Sequence, residues 1–381
     1  MFYFVSFGAL GLHAPYFPLW LEAHGFTGVA MGVIAALSPA MSFFGPPLVG
    51  VLSDARGARG NLLSAACALS CSAMAGLCVA ELMGSSRAFG VVFAAMVVYG
   101  ACRSPMILLV DRIALEHGGN YGQRRAWGSL GFLLAASAFG RWCPPESWRW
   151  LPGMVAVALA AAFAASLPLP RASSALPSRG LNEAKRALER PQFVVFLVCS
   201  AIFAASHSGY DLCGALFFRD LGASGKTIGL LYGTAVVAEI ALLAAAGSAL
   251  RNVRPELLLS LAYAGGGLRW LLMSGLSSTD LAFGLQPLHA VSFGLVWLSS
   301  LEYVRRSSDA RTLGSAQGAF MAANAVGGVL GMITWGPLYA SQGGASVFML
   351  AAGLSIGAAA LAYAVLCRRG PPGLAHSSAL R

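Results

Sequence analysis

The sequence is poor in charge. Asp, Glu, Lys and Arg together make up 10% of the 381 residues, whereas hydrophobic residues make up 57%. A typical water-soluble domain has about 25% charged residues. The composition therefore excludes a soluble globular protein and predicts a polytopic membrane protein.

The sequence also lacks the short motifs of several enzyme classes. It contains no HExxH, no GxSxG and no complete GxxxxGK(S/T) phosphate loop, and its eight cysteines form no CxxC pair. We therefore expect no enzyme activity, no metal and no cofactor. A sensor would normally carry a soluble signalling domain, and the polar tail Arg368–Arg381 is too short for one. An intramembrane enzyme or a sensor remains an alternative to transport.

Long apolar windows, in contrast, are abundant. A helix needs about 20 mostly apolar residues to cross the hydrocarbon layer, and windows bounded by charge, Pro or Gly clusters predict twelve spans. These are Phe2–Leu21, Val29–Ser53, Asn61–Leu82, Ala88–Asp111, Gly122–Trp142, Trp150–Pro168, Gln192–Phe218, Thr227–Leu250, Glu256–Gly275, Leu281–Tyr303, Gly314–Tyr339 and Val347–Leu366.

The basic residues orient these spans. With both termini in the cytoplasm, most of the 25 Lys and Arg residues fall in cytoplasmic segments, as the positive-inside rule requires. The net charge of +10 then reflects topology and attraction to anionic lipid head groups, and we expect no nucleic-acid partner. Frequent Ala, Gly and Arg indicate a GC-rich bacterial source, hence an inner-membrane location. We expect a monomer.

The longest polar interval divides the chain into two halves. We predict an all-α fold of two pseudo-symmetric six-helix bundles, residues 1–169 and 192–367, with a cytoplasmic linker at 170–191 and a cytoplasmic tail at 368–381. The second part of the linker can form a basic amphipathic helix on the membrane surface, or it can be a solvated connection.

The two halves resemble each other at several places. The stretch GFTGVAMG follows the first predicted helix and GASGKTIG follows the seventh, with the same glycine spacing. Upstream, His13 and Tyr16 correspond to His207 and Tyr210, and RAWGS and RTLGS enter the fifth and eleventh helices. Together these matches predict a duplicated unit, in which two bundles can rock about a site near the membrane midplane.

Glu239 is the charge that most needs an explanation. It lies in the apolar run TAVVAEIALLAAA, where a charged side chain costs roughly 2.5–3.5 kcal/mol. Arg269 and His289, each alone in an apolar neighbourhood, are the expected compensating groups. They mark either a solute and proton pathway or a buried ion pair that only fixes helix packing.

Two further helices carry polar residues at helical spacing. His207, Tyr210 and Asp211 share one face of the seventh predicted helix, because positions i, i+3 and i+4 are neighbours on a helix surface. We expect this face to line the cavity. His13 and Tyr16 on the first helix are either solute contacts or a satisfied polar pair under an aromatic belt.

The fourth predicted helix adds Arg103 and Asp111, about two turns apart. Arg103 lies deep and is expected to contact a ligand anion or a gate residue, with structural pairing as the alternative. Asp111 lies near the cytoplasmic end. It is expected to pair with Arg112, Arg124 or Arg125 in a cytoplasmic gate.

The loop GVLSDARGAR resembles the G-x-x-x-D-R-x-G-R signature of the major facilitator superfamily. Gly50, Asp54 and Gly57 match it, while Arg56 and Arg59 are each shifted by one position. Within that superfamily, the stretches APYFPLWL, SPMILLVD, YGQRRAWGS, YGTAVVAEI, LRW and PLHAVSF are most similar to the phenylpropionate permease branch and, more distantly, to the lactose permease.

The resemblance implies roles for the buried charges. In the lactose permease a glutamate, an arginine and a histidine on helices eight, nine and ten surround the sugar and proton sites, and Glu239, Arg269 and His289 fall on those positions. Two partners are missing, because the helix-ten acid is replaced by Ser292 and the helix-eleven lysine by Asn324.

The sugar-binding glutamate of that relative corresponds to Ile107 here, although its arginine partner is kept as Arg125. The resemblance therefore implies a solute other than a lactose-like disaccharide, and a small aromatic acid or another anionic or polar metabolite is expected.

The expected function is secondary active transport of a small organic solute by alternating access, with proton-coupled uptake across the inner membrane. Glu239, Asp211 and His289 are the candidates for proton coupling. The candidates for solute binding are Arg103, Arg269, His13, Tyr16, His207, Tyr210 and Trp270. The gate is expected to comprise Gly50, Asp54, Arg56, Gly57, Arg59, Asp111 and Arg125. A facilitator, an exporter, or an importer of a nucleoside, sugar or siderophore remains an alternative.

Overall fold

The computed structural model describes residues 1–56, 58–116, 121–170, 189–249, 253–308 and 312–368, and within these ranges it contains helices and no strand. The first six helices are α1 Phe2–Ala23, α2 Gly28–Arg56, α3 Arg59–Leu82, α4 Phe89–Glu116, α5 Tyr121–Trp142 and α6 Leu151–Ser166. The next four are α7 Pro191–Asp220, α8 Gly225–Ala249, α9 Pro255–Ser274 and α10 Thr279–Ser307, and a helical segment Leu313–Cys367 follows.

Nine segments of the described ranges are long and apolar enough to cross a membrane. Helices α1 and α5 fall outside this set, and Leu313–Cys367 counts once although it has 55 residues. The all-helical membrane fold is therefore confirmed, whereas the number of twelve spans stays a prediction. The linker at 171–188 lies outside the described residues.

The helix Leu313–Ala362 turns back on itself at Gly343. This glycine has φ 76° and ψ 179°, a conformation that residues with a Cβ rarely adopt. Before the turn, the Trp335 indole donates to an α7 carbonyl at 2.7 Å, and after it the Ala351 carbonyl accepts from an α7 serine at 2.8 Å. Because those α7 partners are adjacent in sequence, two antiparallel helices result, α11 (313–342) and α12 (344–367). A seven-residue loop was predicted here, but one non-helical residue suffices.

Helices α1 and α7 end in the same turn. Gly25 and Gly222 follow them with φ of 84° and 88°. The next amides, of Phe26 and Ala223, each donate to the carbonyl five residues back at 2.9 Å. This left-handed glycine cap satisfies carbonyls that the helix end leaves free. The two glycine-rich stretches that the sequence analysis paired therefore adopt one backbone conformation at this point.

Most helices pack within their own half, and the two most extensive contacts between the halves are those of α2 with α11 and of α5 with α8, followed by α1 with α7. The first two crossings depend on glycine. A Cβ built on Gly32 would lie 2.6 Å from the Met332 carbonyl oxygen, and one on Gly229 would lie 2.5 Å from that of Ala136. The backbones are therefore in contact, as small residues permit in membrane helices.

The hydrogen bonds and ion pairs that join the two halves in the described part of the chain lie at one end of the bundle. Arg219, near the end of α7, forms ion pairs with Glu22 of α1 and with Asp220. Tyr339 of α11 donates to the same Asp220. The hydroxyl of Tyr16 also bridges the halves here, through the Gly225 carbonyl at 3.2 Å.

Candidate functional site

A polar cluster surrounds Arg269 of α9. Its guanidinium donates to Ser292 Oγ at 3.0 Å, to Gln286 Oε1 at 3.2 Å and to His289 Nδ1 at 3.0 Å. The three partners are three residues apart on α10, where 3-10 and π-helical turns interrupt the α-helix. Such turns redirect side chains and are frequent at functional sites.

Arg269 is completely buried. In the described part of the chain no carboxylate lies within 4 Å of it, and its guanidinium instead lies 4.4 Å from the Tyr210 ring centroid and 4.7 Å from that of Trp270. Neutral acceptors and aromatic faces thus stabilise this charge. Because solvent does not reach Arg269, Trp270 or Tyr210, none of these predicted solute contacts is open to a solute in this conformation.

His289 lies between Arg269 and Glu239. An arginine can only donate, so His289 Nδ1 accepts and its proton is on Nε2. That Nε2 is 3.9 Å from Glu239 Oε2, and the two side chains are 12% and 21% exposed. Glu239 therefore faces the protein interior, and a Cβ on Gly294 of α10 would lie 3.3 Å from its Cγ.

This arrangement differs from the expected ion pair. A direct Glu239–Arg269 pair is the packing alternative that the sequence predicts, and the structure places the imidazole between the two charges. The separation arises because α10 lies between α8 and α9 at this level and presents His289 from its irregular turns.

On α7, Asp211 and His207 form a second carboxylate–imidazole pair. His207 Nε2 lies 3.9 Å from Asp211 Oδ1, and the Asp211 side chain is 54% exposed. The His207 ring centroid lies 5.7 Å from that of His289, so the two pairs are adjacent. Asn324, which replaces the lysine expected from the resemblance, donates to a carbonyl of its own helix.

A separate cluster in the first half surrounds Arg103. This half-buried arginine donates to the Ser6 carbonyl at 3.4 Å. The His13 and Tyr99 rings lie 4.8 Å apart beside it. Four buried polar atoms lack a hydrogen-bond partner, namely Ser6 Oγ, His13 Nε2, Tyr99 Oη and Arg103 Nε.

Tyr16 lies where the two halves meet, and its role as a solute contact stays a prediction. It is completely buried, and its hydroxyl donates to the Ala136 carbonyl at 2.8 Å as well as to that of Gly225. The hydroxyl therefore joins α1, α5 and α8 where the two halves meet.

The predicted gate is described only in part. Gly57 and the side chains of Asp54 and Arg56 lie outside the described residues. Gly50 lies in α2, and Arg59 is buried in an ion pair with Glu116. These contacts fall within the first half of the chain.

Asp111 and Arg125 have partners other than the expected ones. Asp111 accepts a hydrogen bond from the Tyr3 hydroxyl at 2.6 Å, rather than from an arginine of the predicted gate. The Arg125 guanidinium lies 4.3 Å from the Phe7 ring centroid. Tyr3 and Phe7 project from the first two turns of α1, so their contact with these residues could not be inferred from α4 and α5 alone.

Three site residues were missed at the sequence level. Gln286 binds both Arg269 and Tyr210, while Ser6 and Tyr99 belong to the Arg103 cluster. Helical spacing carried a signal for two of them, because Gln286 precedes His289 by three residues and Tyr99 precedes Arg103 by four. In the described ranges, no group of three or more His, Cys, Asp or Glu side chains could hold a metal ion.

Comparison with protein families gives a match over most of the chain. The sequence model of the MFS_1 like family matches residues 1–350. The chain is 30% identical to the maltose permease of Geobacillus stearothermophilus over 338 residues, which cover 87% of this chain and 83% of that protein. It is 25% identical to the probable 3-phenylpropionic acid transporter of Escherichia coli K12, with 87% of each chain covered.

Solved structures agree on the fold. The D323A mutant of the nucleoside transporter NupG superposes with a TM-score of 0.85 at 17% identity, covering 96% of this chain and 97% of that one. A bacterial homologue of the lysosomal transporter Spinster, in an inward-facing and unoccupied conformation, gives a TM-score of 0.69 at 13% identity, with 98% and 97% of the two chains covered.

Proposed function

The chain belongs to the MFS_1 like family of membrane transporters, and we propose that it carries a small organic solute inward together with a proton, across a bacterial inner membrane with both termini cytoplasmic. Its two halves, residues 1–169 and 192–367, alternate access to a central site. Transport rather than catalysis is its activity.

The proposed proton coupling rests on the arrangement of three side chains, in which His289 lies between Glu239 and Arg269. A direct carboxylate–guanidinium pair would hold both charges permanently. Here the neutral imidazole accepts from Arg269 through Nδ1 and directs Nε2–H towards Glu239 from 3.9 Å. Glu239 thus remains free to exchange a proton when solvent access changes.

The contacts that close one end of the bundle indicate to which side of the membrane the central site opens. Arg219 and Glu22 join the halves at the end opposite to Met1. With the termini in the cytoplasm, this closed end is the outer one, and the conformation is inward-facing. Asp211, whose side chain is 54% exposed, then lies on the cytoplasmic side of this closed end.

A reconstituted-vesicle assay tests the proposal. Protein in proteoliposomes is offered 3-phenylpropionate, maltose and uridine under an imposed pH gradient, and solute-driven proton flux is recorded with a pH-sensitive dye. We expect Glu239→Gln to abolish flux and uphill accumulation but to retain solute exchange.

The matched control is Glu302→Gln. Glu302 lies near the end of α10, where Arg305 and Arg306 bind it at 2.7 Å and 2.6 Å, so its loss should leave coupling unchanged. Undiminished proton flux in the Glu239→Gln protein would contradict the proposed coupling role.

A neutral polyol is the second candidate solute. Its support is the exposed carboxylate of Asp211 next to His207, since carboxylates accept hydrogen bonds from sugar and nucleoside hydroxyl groups. The names of the maltose permease and of NupG point the same way. Asp211→Asn should then weaken maltose or uridine uptake while leaving uptake of 3-phenylpropionate intact.

A further inference from the structure

The Arg103 cluster is a set of polar groups without enough partners. Ser6 and Tyr99 are buried, His13 and Arg103 are half-buried, and each carries one buried polar atom without a hydrogen-bond partner within 3.5 Å among the described residues. A buried polar group without a hydrogen-bond partner destabilises the folded protein. Four of them on α1 and α4, whose side chains meet at Arg103 and Ser6, indicate a place where another molecule completes the hydrogen bonding.

The cluster also lacks a counter-ion. No carboxylate lies within 4 Å of Arg103 among the described residues. On its own helix the next acid is Asp111, eight residues away and bonded to Tyr3. Helix α1 carries no acid before Glu22, its penultimate residue, and α5 and α6 carry none at all. Among the described acids of its own half, Glu81 and Glu116 are paired with His24 and Arg59, so none of them forms an ion pair with Arg103.

We propose that Arg103, Tyr99, His13 and Ser6 bind the carboxylate of an organic monoanion, which makes such an acid the substrate class of this transporter. The inference rests on the proposed transport function and adds the chemistry of the solute. The acidic groups Glu239 and Asp211 belong to the other half, so the anionic end of the solute is directed to the first half.

The number and kind of free groups suit one carboxylate. Arg103 Nε–H and the Tyr99 hydroxyl are donors, while Ser6 Oγ and His13 Nε2 can also donate. Two carboxylate oxygens together accept about four hydrogen bonds. The Arg103 and His13 side chains are partly exposed, whereas Arg269 is fully enclosed and the Arg125 guanidinium lies over the Phe7 ring, so the proposed ligand carries one carboxylate.

Binding to the purified full-length protein tests this independently of transport. Isothermal titration compares a panel of acids with their primary amides, including 3-phenylpropionate with 3-phenylpropionamide and benzoate with benzamide. The wild-type protein should bind at least one acid tenfold or more tightly than its amide. Arg103→Gln should remove that preference by weakening the acid alone, and Arg103→Lys should keep part of it.

Tyr99→Phe removes one donor at nearly constant volume and should weaken the acid severalfold. The matched control is Arg141→Gln, which removes an exposed arginine at the far end of α5 and should change neither affinity. The thermal stability of each variant is measured alongside its affinity, so that loss of the fold is separated from loss of a contact.

Equal binding of every acid and its amide would overturn the inference, as would an Arg103→Gln protein that loses affinity for acid and amide alike. Failure of the anion site can be distinguished from failure of the proposed proton coupling. An uncharged solute that drives proton flux would refute the anion site alone, whereas a strong acid preference without proton flux would refute the coupling alone.

Discussion

His289 is the residue on which the candidate coupling site depends, because it is the contact between Arg269 and Glu239. We predict that His289→Ala lowers the free energy of unfolding by about 1–3 kcal/mol, since Arg269 then loses one of its three acceptors and one buried N–H is unpaired. Proton coupling should be lost as well. Denaturation monitored by tryptophan fluorescence and proton flux in proteoliposomes measure the two effects.

The control for His289 is another histidine beside an acid. His24 lies 2.7 Å from Glu81 near the ends of α1 and α3, away from the cluster. His24→Ala should reduce stability yet leave the ratio of protons to solute unchanged. An equal loss of coupling in both variants would mean that general destabilisation, and not the position of His289, is responsible.

Tyr16 provides a second prediction at the residue scale. Tyr16→Phe keeps the ring but removes the hydroxyl that donates to the Ala136 and Gly225 carbonyls, at a cost of about 1 kcal/mol. Because these bonds join helices and not a solute, uptake of every solute should change by the same factor. Tyr363→Phe, at a half-exposed position, is the control, and a change in the order of solute preference would contradict the assignment.

At the scale of helices, the crossings between the two halves depend on glycine. A Cβ on Gly336 of α11 would collide with the Gly28 carbonyl of α2. Gly336→Val should therefore open this end and favour the outward-facing conformation. Double electron–electron resonance between spin labels at the exposed positions Met83 and Gln342 should report a longer distance than in the wild type.

Gly353→Val is the matched control, because nothing lies within 4 Å of a Cβ at Gly353 of α12. Its distance distribution should equal that of the wild type. If Gly336→Val leaves the distance unchanged, the contact between α2 and α11 does not determine which end is closed.

The limits of the helices were largely predictable from the sequence, whereas the neighbours against which each helix packs were less predictable. Predicted spans such as Glu256–Gly275 agree closely with the observed Pro255–Ser274, because apolar length is a local property. The turn at Gly343 was not foreseen as a single residue. Its φ of 76° is a backbone property that hydropathy does not report.

At the scale of the whole molecule, the ion pair between Glu22 and Arg219 connects the two halves. Both side chains are partly exposed, so the pair contributes only about 0.2–1 kcal/mol. That is enough to shift an equilibrium between two nearly balanced conformations. We predict that Arg219→Glu raises the outward-facing population, measured by labelling of a cysteine introduced at the closed end.

The charge-swapped double variant, Glu22→Arg with Arg219→Glu, should restore part of the wild-type population, since the pair re-forms with reversed polarity. Asp220 also binds Arg219, so restoration will be incomplete. No recovery in the double variant would argue that the contact between the halves at this position is incidental.

The sequence by itself determined the membrane class, the approximate limits of the helices and the identity of the buried charges, because low charge content and apolar length act residue by residue. It also singled out Glu239, Arg269, His289 and Arg103. Only the tertiary structure decided which groups meet. The packing of the helices and the irregular turns of α10 placed His289 between Glu239 and Arg269 and, among the described residues, left no carboxylate within 4 Å of Arg103.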